Sequence, residues 1–190
     1  RMQQENVRLR ESLEEIRAVD LVGQSPPMQK LREAVRTAAS PETPVLITGE
    51  RGTGKELVAR AIHSLSPRRF LPMVVIHCGT LTGTLLESEL FGHEKGAFAG
   101  AQYRKKGKFE AVEGGTVFLD EISEISLKAQ SDLLRVLEEK EITRVGGTQT
   151  IKVDFRGVAA TSRDLEAMVK EGTFRADLYY RLNVLGIRVP

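Results

Sequence analysis

Short apolar runs alternate along this chain with stretches in which apolar residues recur every three or four positions. Continuous runs are typical of strands buried on both faces, and spaced apolar residues indicate amphipathic helices. The runs predict buried strands at 45–47, 72–78, 114–121, 151–155 and 157–161, with another strand-like run before Pro190. Helical spacing falls at 26–39, 56–63, 80–90, 127–139 and 164–170. Strands that alternate with helices predict a three-layer α/β fold with a parallel central sheet.

The first predicted strand leads into a glycine-rich segment and then a helix. Strand, glycine-rich turn, lysine and helix in this order are typical of a phosphate-binding P-loop, and an ordinary glycine turn is the weaker alternative. Glycines let the turn direct backbone N–H groups inward, and Lys55 adds a positive charge for the outer phosphates. The predicted nucleotide-binding residues are Gly49, Glu50, Arg51, Gly52, Thr53, Gly54, Lys55 and Glu56. Glu56 is a departure, because the general motif has Ser or Thr there to hold magnesium.

Two acids, Asp120 and Glu121, end the third predicted strand. From the carboxyl end of a parallel strand, Asp120 can reach a magnesium ion, directly or through water. Glu121 beside it can polarise an attacking water molecule. Two solvated acids are the alternative, which the P-loop upstream disfavours. We therefore predict a site for a nucleoside triphosphate and Mg²⁺, with Ser162, in the turn after a central strand, near the γ-phosphate.

Composition places the chain among ordinary globular domains. Apolar residues make up 41% and charged residues 28% of its 190 positions, and the net charge is +2, which gives no reason to expect general attraction to nucleic acid or membrane. The single cysteine, Cys78, excludes an intramolecular disulfide and suits a reducing cytoplasm. No apolar run approaches the length of a membrane span. Because the chain begins at Arg1, we interpret it as a piece of a longer protein.

Two segments are predicted to make contacts outside the sheet. Residues 1–19 form a charged linker helix, and an apolar seam with heptad spacing suits pairing with another chain, although a helix docked on its own domain fits equally well. The seam residues are Met2, Asn6, Leu9, Leu13 and Ile16. Residues 91–101 have neither helical nor strand patterning and form a predicted loop with three glycines around Phe98. Such a loop is a candidate contact surface.

Together these motifs resemble the central ATPase domain of sigma-54-dependent transcription activators, the bacterial enhancer-binding proteins of the AAA+ superfamily. The resemblance covers residues 21–190 and is carried by GERGTGKE (49–56), ELFGHEKGAFAGA (89–101), GGTVFLDEI (114–122) and FRADLYYRLNV (174–184). It implies a P-loop NTPase fold over 20–190, a helical lid after Pro190, and a magnesium-dependent ATPase that assembles into a hexameric or heptameric ring. Its implied partner is the sigma-54 factor of RNA polymerase, with DNA bound only through a further C-terminal domain.

The resemblance also implies roles for single residues around the nucleotide. Arg175 and Arg181 are expected to reach a neighbouring subunit's site, with local salt bridges as the alternative. His77 stands where many members have an Asn that restrains the catalytic glutamate, so it is expected to contact Glu121. Ser162 occupies the γ-phosphate sensor position, where Asn is usual. The adenine pocket is expected to be lined by Leu21, Val22 and Gly23.

The loop that contacts sigma-54 is implied to comprise Gly96, Ala97, Phe98, Ala99, Gly100 and Ala101. Phe98 is expected to insert into the partner, with a ring folded back onto its own domain as the alternative. Ala99 replaces the signature threonine, which raises a second function: a nucleotide-regulated DNA-binding regulator that no longer engages sigma-54. An AAA+ enzyme of another branch, such as a chelatase or protease motor, would have no reason to carry the 89–101 motif.

Overall fold

A computed structural model describes residues 1–19, 21, 23–81 and 83–190, without the side chains of residues 11–19. Its helices are α1 (Met2–Val19), α2 (Pro26–Ala39), α3 (Lys55–Ser64), α4 (Gly83–Phe91), α5 (Lys108–Ala111), α6 (Leu127–Glu139), α7 (Leu165–Glu171) and α8 (Ala176–Leu182). Its strands are β1 (Val45–Thr48), β2 (Met73–His77), β3 (Gly92–His93), β4 (Lys105–Lys106), β5 (Thr116–Asp120), β6 (Glu141–Thr143), β7 (Thr150–Lys152), β8 (Arg156–Thr161) and β9 (Leu185–Arg188). A 3₁₀ turn covers Ile122–Glu124.

The main sheet of the described chain has five parallel strands in the order β2-β5-β8-β1-β9. Strand β1, which leads into the P-loop, therefore lies between β8 and β9. The carboxyl ends of all these strands meet at one edge, where parallel α/β sheets bind their ligands. The predicted parallel α/β fold is confirmed.

Helices cover both faces of this sheet, so its three inner strands, β5, β8 and β1, are buried on both sides. Along β1, Val45 and Ile47 pack against α2 and α3, whereas Leu46 faces the layer that contains α4, α6 and α8. All three side chains are at most 2% exposed. The alternation is invisible in the sequence because both faces are apolar, which is typical of parallel sheets.

Two strand predictions were wrong in detail. The run at 151–155 was expected to be a sheet strand, but β7 pairs antiparallel with β6 in a hairpin outside the main sheet. Its residues alternate between exposed and half-buried, so it lacks the two buried faces that a central strand needs. The fifth sheet position belongs instead to β9. The loop at 91–101, expected to have no strand, begins with β3, which pairs with β4.

The first helix lies beside α3. Met2 and Leu9 of the predicted seam are 82% and 58% exposed, while the side chains of Leu13 and Ile16 lie outside the described residues. Pairing of this helix with another chain stays a prediction. Among the described residues, no helix is both long and apolar enough to cross a membrane.

Candidate nucleotide-binding site

The P-loop connects the end of β1 to the first residue of α3. Gly52 and Gly54 have φ angles of +79° and +88°, a left-handed conformation that side chains other than glycine's rarely adopt. Lys55 is 6% exposed, and its Nζ donates to the carbonyl oxygens of Gly49 at 2.9 Å and Glu50 at 2.8 Å. The Thr53 hydroxyl also donates to Glu50 O, at 2.7 Å. The lysine is thereby held across its own loop, with its charge at the mouth of the turn.

An open cleft of about 590 Å³ joins the P-loop to the ends of β2 and β5. Its lining residues are Arg51, Gly52, Gly54, Lys55, Glu56, His77, Gly79, Thr80, Asp120, Glu121 and Glu124. The amino end of α3, where free N–H groups carry partial positive charge, opens into this cleft beside Lys55. One side of the cleft therefore suits phosphate groups, and the facing side carries carboxylates.

The Glu121 carboxylate lies between the P-loop lysine and the end of β8. Its residue follows β5 in a left-handed conformation, with φ +54° and ψ +56°, which is costly for a residue other than glycine. Oε1 lies 4.0 Å from Lys55 Nζ. Oε2 accepts hydrogen bonds from the backbone N–H of Ser162 at 3.2 Å and from its hydroxyl at 3.0 Å. The predicted base and the predicted phosphate sensor are thus in direct contact.

His77 corrects one expectation. It was expected to contact Glu121, but its Nδ1 lies 3.2 Å from Asp120 Oδ2. Ser162 is the residue that donates to the Glu121 carboxylate. The reason is register: His77 and Asp120 are paired positions of the parallel strands β2 and β5. Since a carboxylate only accepts hydrogen bonds, the His77 Nδ1–H is the donor. His77 therefore holds the carboxylate that was predicted for magnesium, not the predicted base.

The residues at this edge fit a magnesium ion that is bound together with phosphate. Among the described residues, no three His, Cys, Asp or Glu side chains are grouped so that they could hold a metal on their own. Magnesium in nucleotide sites commonly uses one or two carboxylates plus phosphate oxygens and water. Asp120, 24% exposed and in the same cleft as Lys55, can supply such a ligand. The Glu56 carboxylate is engaged by Arg60 at 2.9 Å.

The two predicted trans-acting arginines lie apart from the chain's own cleft. Arg175 precedes α8 and forms a two-point ion pair with Asp177, at 3.0 and 2.9 Å. The hydrogen bond from Arg175 lowers the pKa of Asp177 below its ordinary value. Arg181 donates to the carbonyl oxygen of Leu137 at 3.2 Å. Among the described residues that line the cleft, neither arginine is present.

The predicted adenine-binding segment is described only in part. Leu21 is 6% exposed and packs in the core beneath α2, and Gly23 is exposed. Arg32, which the sequence analysis did not single out, donates to the carbonyl oxygens of both residues. Val22 lies outside the described residues. The role of this segment stays a prediction.

Phe98 is half-buried and folds back onto its own domain. Its ring lies 5.0 Å from that of His93 in an edge-to-face arrangement, and His93 Nδ1 is 2.6 Å from the Ser88 hydroxyl oxygen. Ala99 and Gly100 are exposed. The structure thus shows the folded-back alternative for the ring, and the expected inserted position would require the loop to move.

A buried ion cluster ties this loop to the β6–β7 hairpin. The Arg144 guanidinium binds both carboxylate oxygens of Glu110, at 2.7 and 3.1 Å, and donates to Glu94 at 3.0 Å. The hydrogen bonds to Glu110 and Glu94 raise the pKa of Arg144 above its ordinary value, although burial opposes them. Backbone bonds between Glu94 and Val145 and between Val145 and Gly92 run alongside. Sequence reasoning missed this cluster because its members are 34 and 50 positions apart and match no short motif.

Comparison with known proteins agrees with this geometry. Residues 21–188 match the family described as "Sigma-54 interaction domain". The chain is 58% identical over 170 residues to the Nif-specific regulatory protein of Azotobacter vinelandii, covering 90% of this chain and 33% of that protein. It is 56% identical over 170 residues to the transcriptional regulatory protein ZraR of Escherichia coli K12, covering 90% and 38%.

A solved structure of NtrX from Brucella abortus in complex with ATP is also similar, with a TM-score of 0.84 and 41% identity over 93% of this chain and 38% of that one. The chain spans about a third of the length of the two curated relatives. Since the match to the family covers nearly all of the described residues, the chain belongs to the sigma-54 interaction domain family, the AAA+ domain of sigma-54-dependent transcription activators.

Proposed function

We propose that this domain binds ATP with magnesium and hydrolyses it, and that hydrolysis drives the remodelling of a sigma-54 RNA polymerase complex so that the promoter opens. The observation that carries the proposal is the single cleft in which Lys55 and the end of α3 face Asp120 and Glu121. Cationic groups on one side and carboxylates on the other are what phosphoryl transfer to water requires.

Each side chain has a separate task in this proposal. Lys55 attracts the outer phosphates; its side chain is buried and its Nζ is held by two carbonyl oxygens. Asp120, oriented by His77, would hold magnesium, which supplies positive charge to the phosphate oxygens. Glu121 accepts a proton from the attacking water through Oε1, the oxygen that lies on the Lys55 side. Because charge capture and water activation use different residues, they are separable by mutation.

Assembly would complete the site. Arg175 and Arg181 are exposed and lie apart from the cleft of their own chain, so they are available to a neighbouring copy in a ring. A guanidinium supplied by the neighbour neutralises charge that develops on the transferring phosphoryl group. We expect a hexamer or heptamer that acts in the cytoplasm and binds DNA through a C-terminal domain outside this sequence.

The loop at 96–101 would transmit the conformational change that hydrolysis drives to sigma-54. Phe98 rests against His93, and the loop is anchored through Glu94 to Arg144, so movement of this anchor would free the ring for a partner. Ala99 cannot supply the hydroxyl of the signature threonine. The loss is tolerable, because burying a phenylalanine ring contributes roughly 2–3 kcal/mol and a neutral hydrogen bond only about 1 kcal/mol.

The test compares three variants in a full-length version of the protein, assayed for ATP binding, ATP turnover and open-complex formation with sigma-54 polymerase. Lys55→Ala should lose binding, Glu121→Gln should bind without turnover, and Phe98→Ala should hydrolyse ATP without opening the promoter. Lys30→Ala, at an exposed lysine of α2, and Phe70→Ala, at a 46% exposed ring distant in sequence from the loop, are the matched controls.

Each outcome tests a different part of the proposal. Turnover by Glu121→Gln at the parental rate would remove Glu121 as the base. Normal promoter opening by Phe98→Ala would show that the loop is not the working contact. If the parent protein itself opens no promoter, this result would favour the alternative function, a nucleotide-regulated DNA-binding regulator that no longer engages sigma-54.

A further inference from the structure

The hairpin that carries the loop at 96–101 has a local concentration of positive charge. Residues 95–109 contain basic side chains and no acidic one, although the net charge of the whole chain is only +2. The basic residues of this segment are Lys95, Arg104, Lys105, Lys106 and Lys108. The two acids that flank it, Glu94 and Glu110, are both bound to Arg144 and so do not neutralise it. The hairpin therefore presents a positive field on one surface of the domain.

Three of these cations have no partner in the protein. Lys105 donates to Glu89 at 2.6 Å, and Lys108 lies 4.0 Å from the same carboxylate. Within the part of the chain that the structure describes, the other three form no ion pair and no side-chain hydrogen bond: Lys95, Arg104 and Lys106. All three are exposed. They can therefore bind an anionic partner without giving up an existing contact.

Tyr103 lies beside these cations and is the most exposed aromatic side chain that the structure describes, at 79%. Phe98 packs its ring against His93, whereas Tyr103 has neither a ring contact nor a hydrogen bond among the described residues. The β3–β4 pairing sets His93 opposite Lys105. The same register, continued two positions toward the tip, brings Lys95 opposite Tyr103. The ring and the unpaired cations therefore share one end of the hairpin.

An exposed aromatic ring among unpaired cations is the arrangement with which proteins hold single-stranded nucleic acid. Stacking on a ring stabilises any base, and Lys and Arg side chains neutralise the phosphates. A duplex keeps the faces of its bases inside the stack, so it would engage the cations but not the ring. An acidic peptide would likewise leave Tyr103 without a stacking partner. The combination therefore favours a single strand.

We propose that this hairpin binds single-stranded DNA, with Tyr103 stacked on a base and with Arg104, Lys106 and Lys95 on the phosphates. The inference rests on the proposed promoter opening, because opening would supply unpaired strands beside the loop. It adds a second partner to the same hairpin. Phe98 would serve the protein contact, and the residues after the loop would hold a DNA strand.

The experiment measures how tightly the assembled full-length protein binds a fluorescent oligothymidine strand at several salt concentrations. Excess unlabelled duplex occupies other DNA-binding surfaces. Tyr103→Ala should weaken binding about tenfold, and Tyr103→Phe, which keeps the ring, should stay within about twofold of the parent. Arg104→Gln/Lys106→Gln removes two phosphate contacts, so the slope of log affinity against log salt should become shallower by about 1.4.

Matched controls lie elsewhere on the surface. Phe70→Ala removes a 46% exposed ring, and Lys152→Gln removes the charge of an exposed strand lysine. Both should bind the oligothymidine strand as the parent does. ATP turnover should stay within about twofold of the parent in every variant of the hairpin, because the substituted side chains are exposed and lie outside the nucleotide cleft.

The results separate this inference from the proposed function. Parental affinity in Tyr103→Ala, an equal loss in Tyr103→Phe, or an unchanged salt slope in the double variant would overturn the inference. A photoreactive phenylalanine derivative in place of Tyr103 identifies the partner in the promoter complex: crosslinks to a DNA strand support the inference, and crosslinks to sigma-54 alone would overturn it. The oligothymidine measurement needs no promoter, so failure of the parent to open one would contradict the proposed function only.

Discussion

Replacing Arg144 by methionine should destabilise the domain far more than replacing Glu94, the more exposed of its two carboxylate partners, by glutamine. The side chains of Arg144 and Glu110 are each 8% exposed, and the guanidinium engages both oxygens of the carboxylate. Arg144→Met preserves much of the apolar length and leaves the Glu110 charge buried without its cation. Breaking a buried pair in this way costs about 3–5 kcal/mol. A domain of this size has roughly 5–15 kcal/mol of stability in total, so a large part of it would be lost.

The internal comparison is with Glu94, the other carboxylate on Arg144. Glu94 is 33% exposed, so water compensates much of its lost partner, and Glu94→Gln should cost about 1 kcal/mol or less. The assay is urea unfolding at equilibrium, followed by far-ultraviolet circular dichroism, with midpoints and slopes for both variants and for Glu110→Gln. At about 2–4 °C per kcal/mol, Arg144→Met should also lower the melting temperature by roughly 10 °C.

The double variant Arg144→Met/Glu110→Gln tests whether Arg144 and Glu110 act as a buried ion pair. Removing both charges eliminates the unpaired buried carboxylate, so the double variant should be more stable than Arg144→Met alone. If the two single losses simply add, the pair does not act as a buried ion pair and the reasoning fails. Equal costs for Glu94→Gln and Glu110→Gln would contradict it too, because burial would then not decide the energy.

Two buried groups near the sheet give further predictions. Burial lowers the pKa of His63, whose ring lies between the Thr116 hydroxyl and the Leu71 carbonyl. The unfolded chain therefore binds more protons than the folded one once the pH falls below about 6.5. The urea concentration at half-unfolding should accordingly be lower at about pH 5.5 than at about pH 7.5, and the difference should be smaller in His63→Gln. An equal fall in both proteins would exclude His63 as the cause. Burial, helped by nearby Asp120, raises the pKa of Cys78 to about 12, so the thiol should react with an aromatic disulfide reagent only upon unfolding. Prompt release of the coloured thiolate by the folded protein would contradict this.

The sequence predicted those features whose residues are close together along the chain. A P-loop is one contiguous segment, so the strand, the glycines and Lys55 could be recognised together, and the structure places them as expected. The parallel sheet followed from continuous apolar runs separated by helices, and the strand-like run before Pro190 is β9. The run at 151–155 was wrongly expected in the main sheet, and the short strand β3 was not expected at all. Local pattern failed there because strands of two or three residues outside the main sheet are distinguished by their neighbours rather than by their composition.

Contacts between distant segments could not be predicted in the same way. The ion cluster at Arg144 joins three segments, and its existence depends on how the β6–β7 hairpin lies against the loop at 92–97. The position of Phe98 depends likewise on His93, which Ser88 orients. An exposed ring was the natural expectation for a glycine-flanked loop. The structure shows instead that the Phe98 ring packs against His93. The free energy needed to break this packing would therefore reduce the affinity of the loop for a partner.

The carboxylates of Asp120 and Glu121 show why adjacency in sequence does not settle function. In an extended strand, successive side chains point to opposite faces, but here the second acid also leaves the strand through a left-handed turn. Register pairs Asp120 with His77, whereas the turn carries Glu121 across to Ser162. His77, expected beside Glu121 from the motif, thus contacts Asp120, the predicted metal ligand. Glu121, the predicted base, is contacted from the end of β8 on the other side of β5, so any substitution at His77 should be interpreted through Asp120 before Glu121.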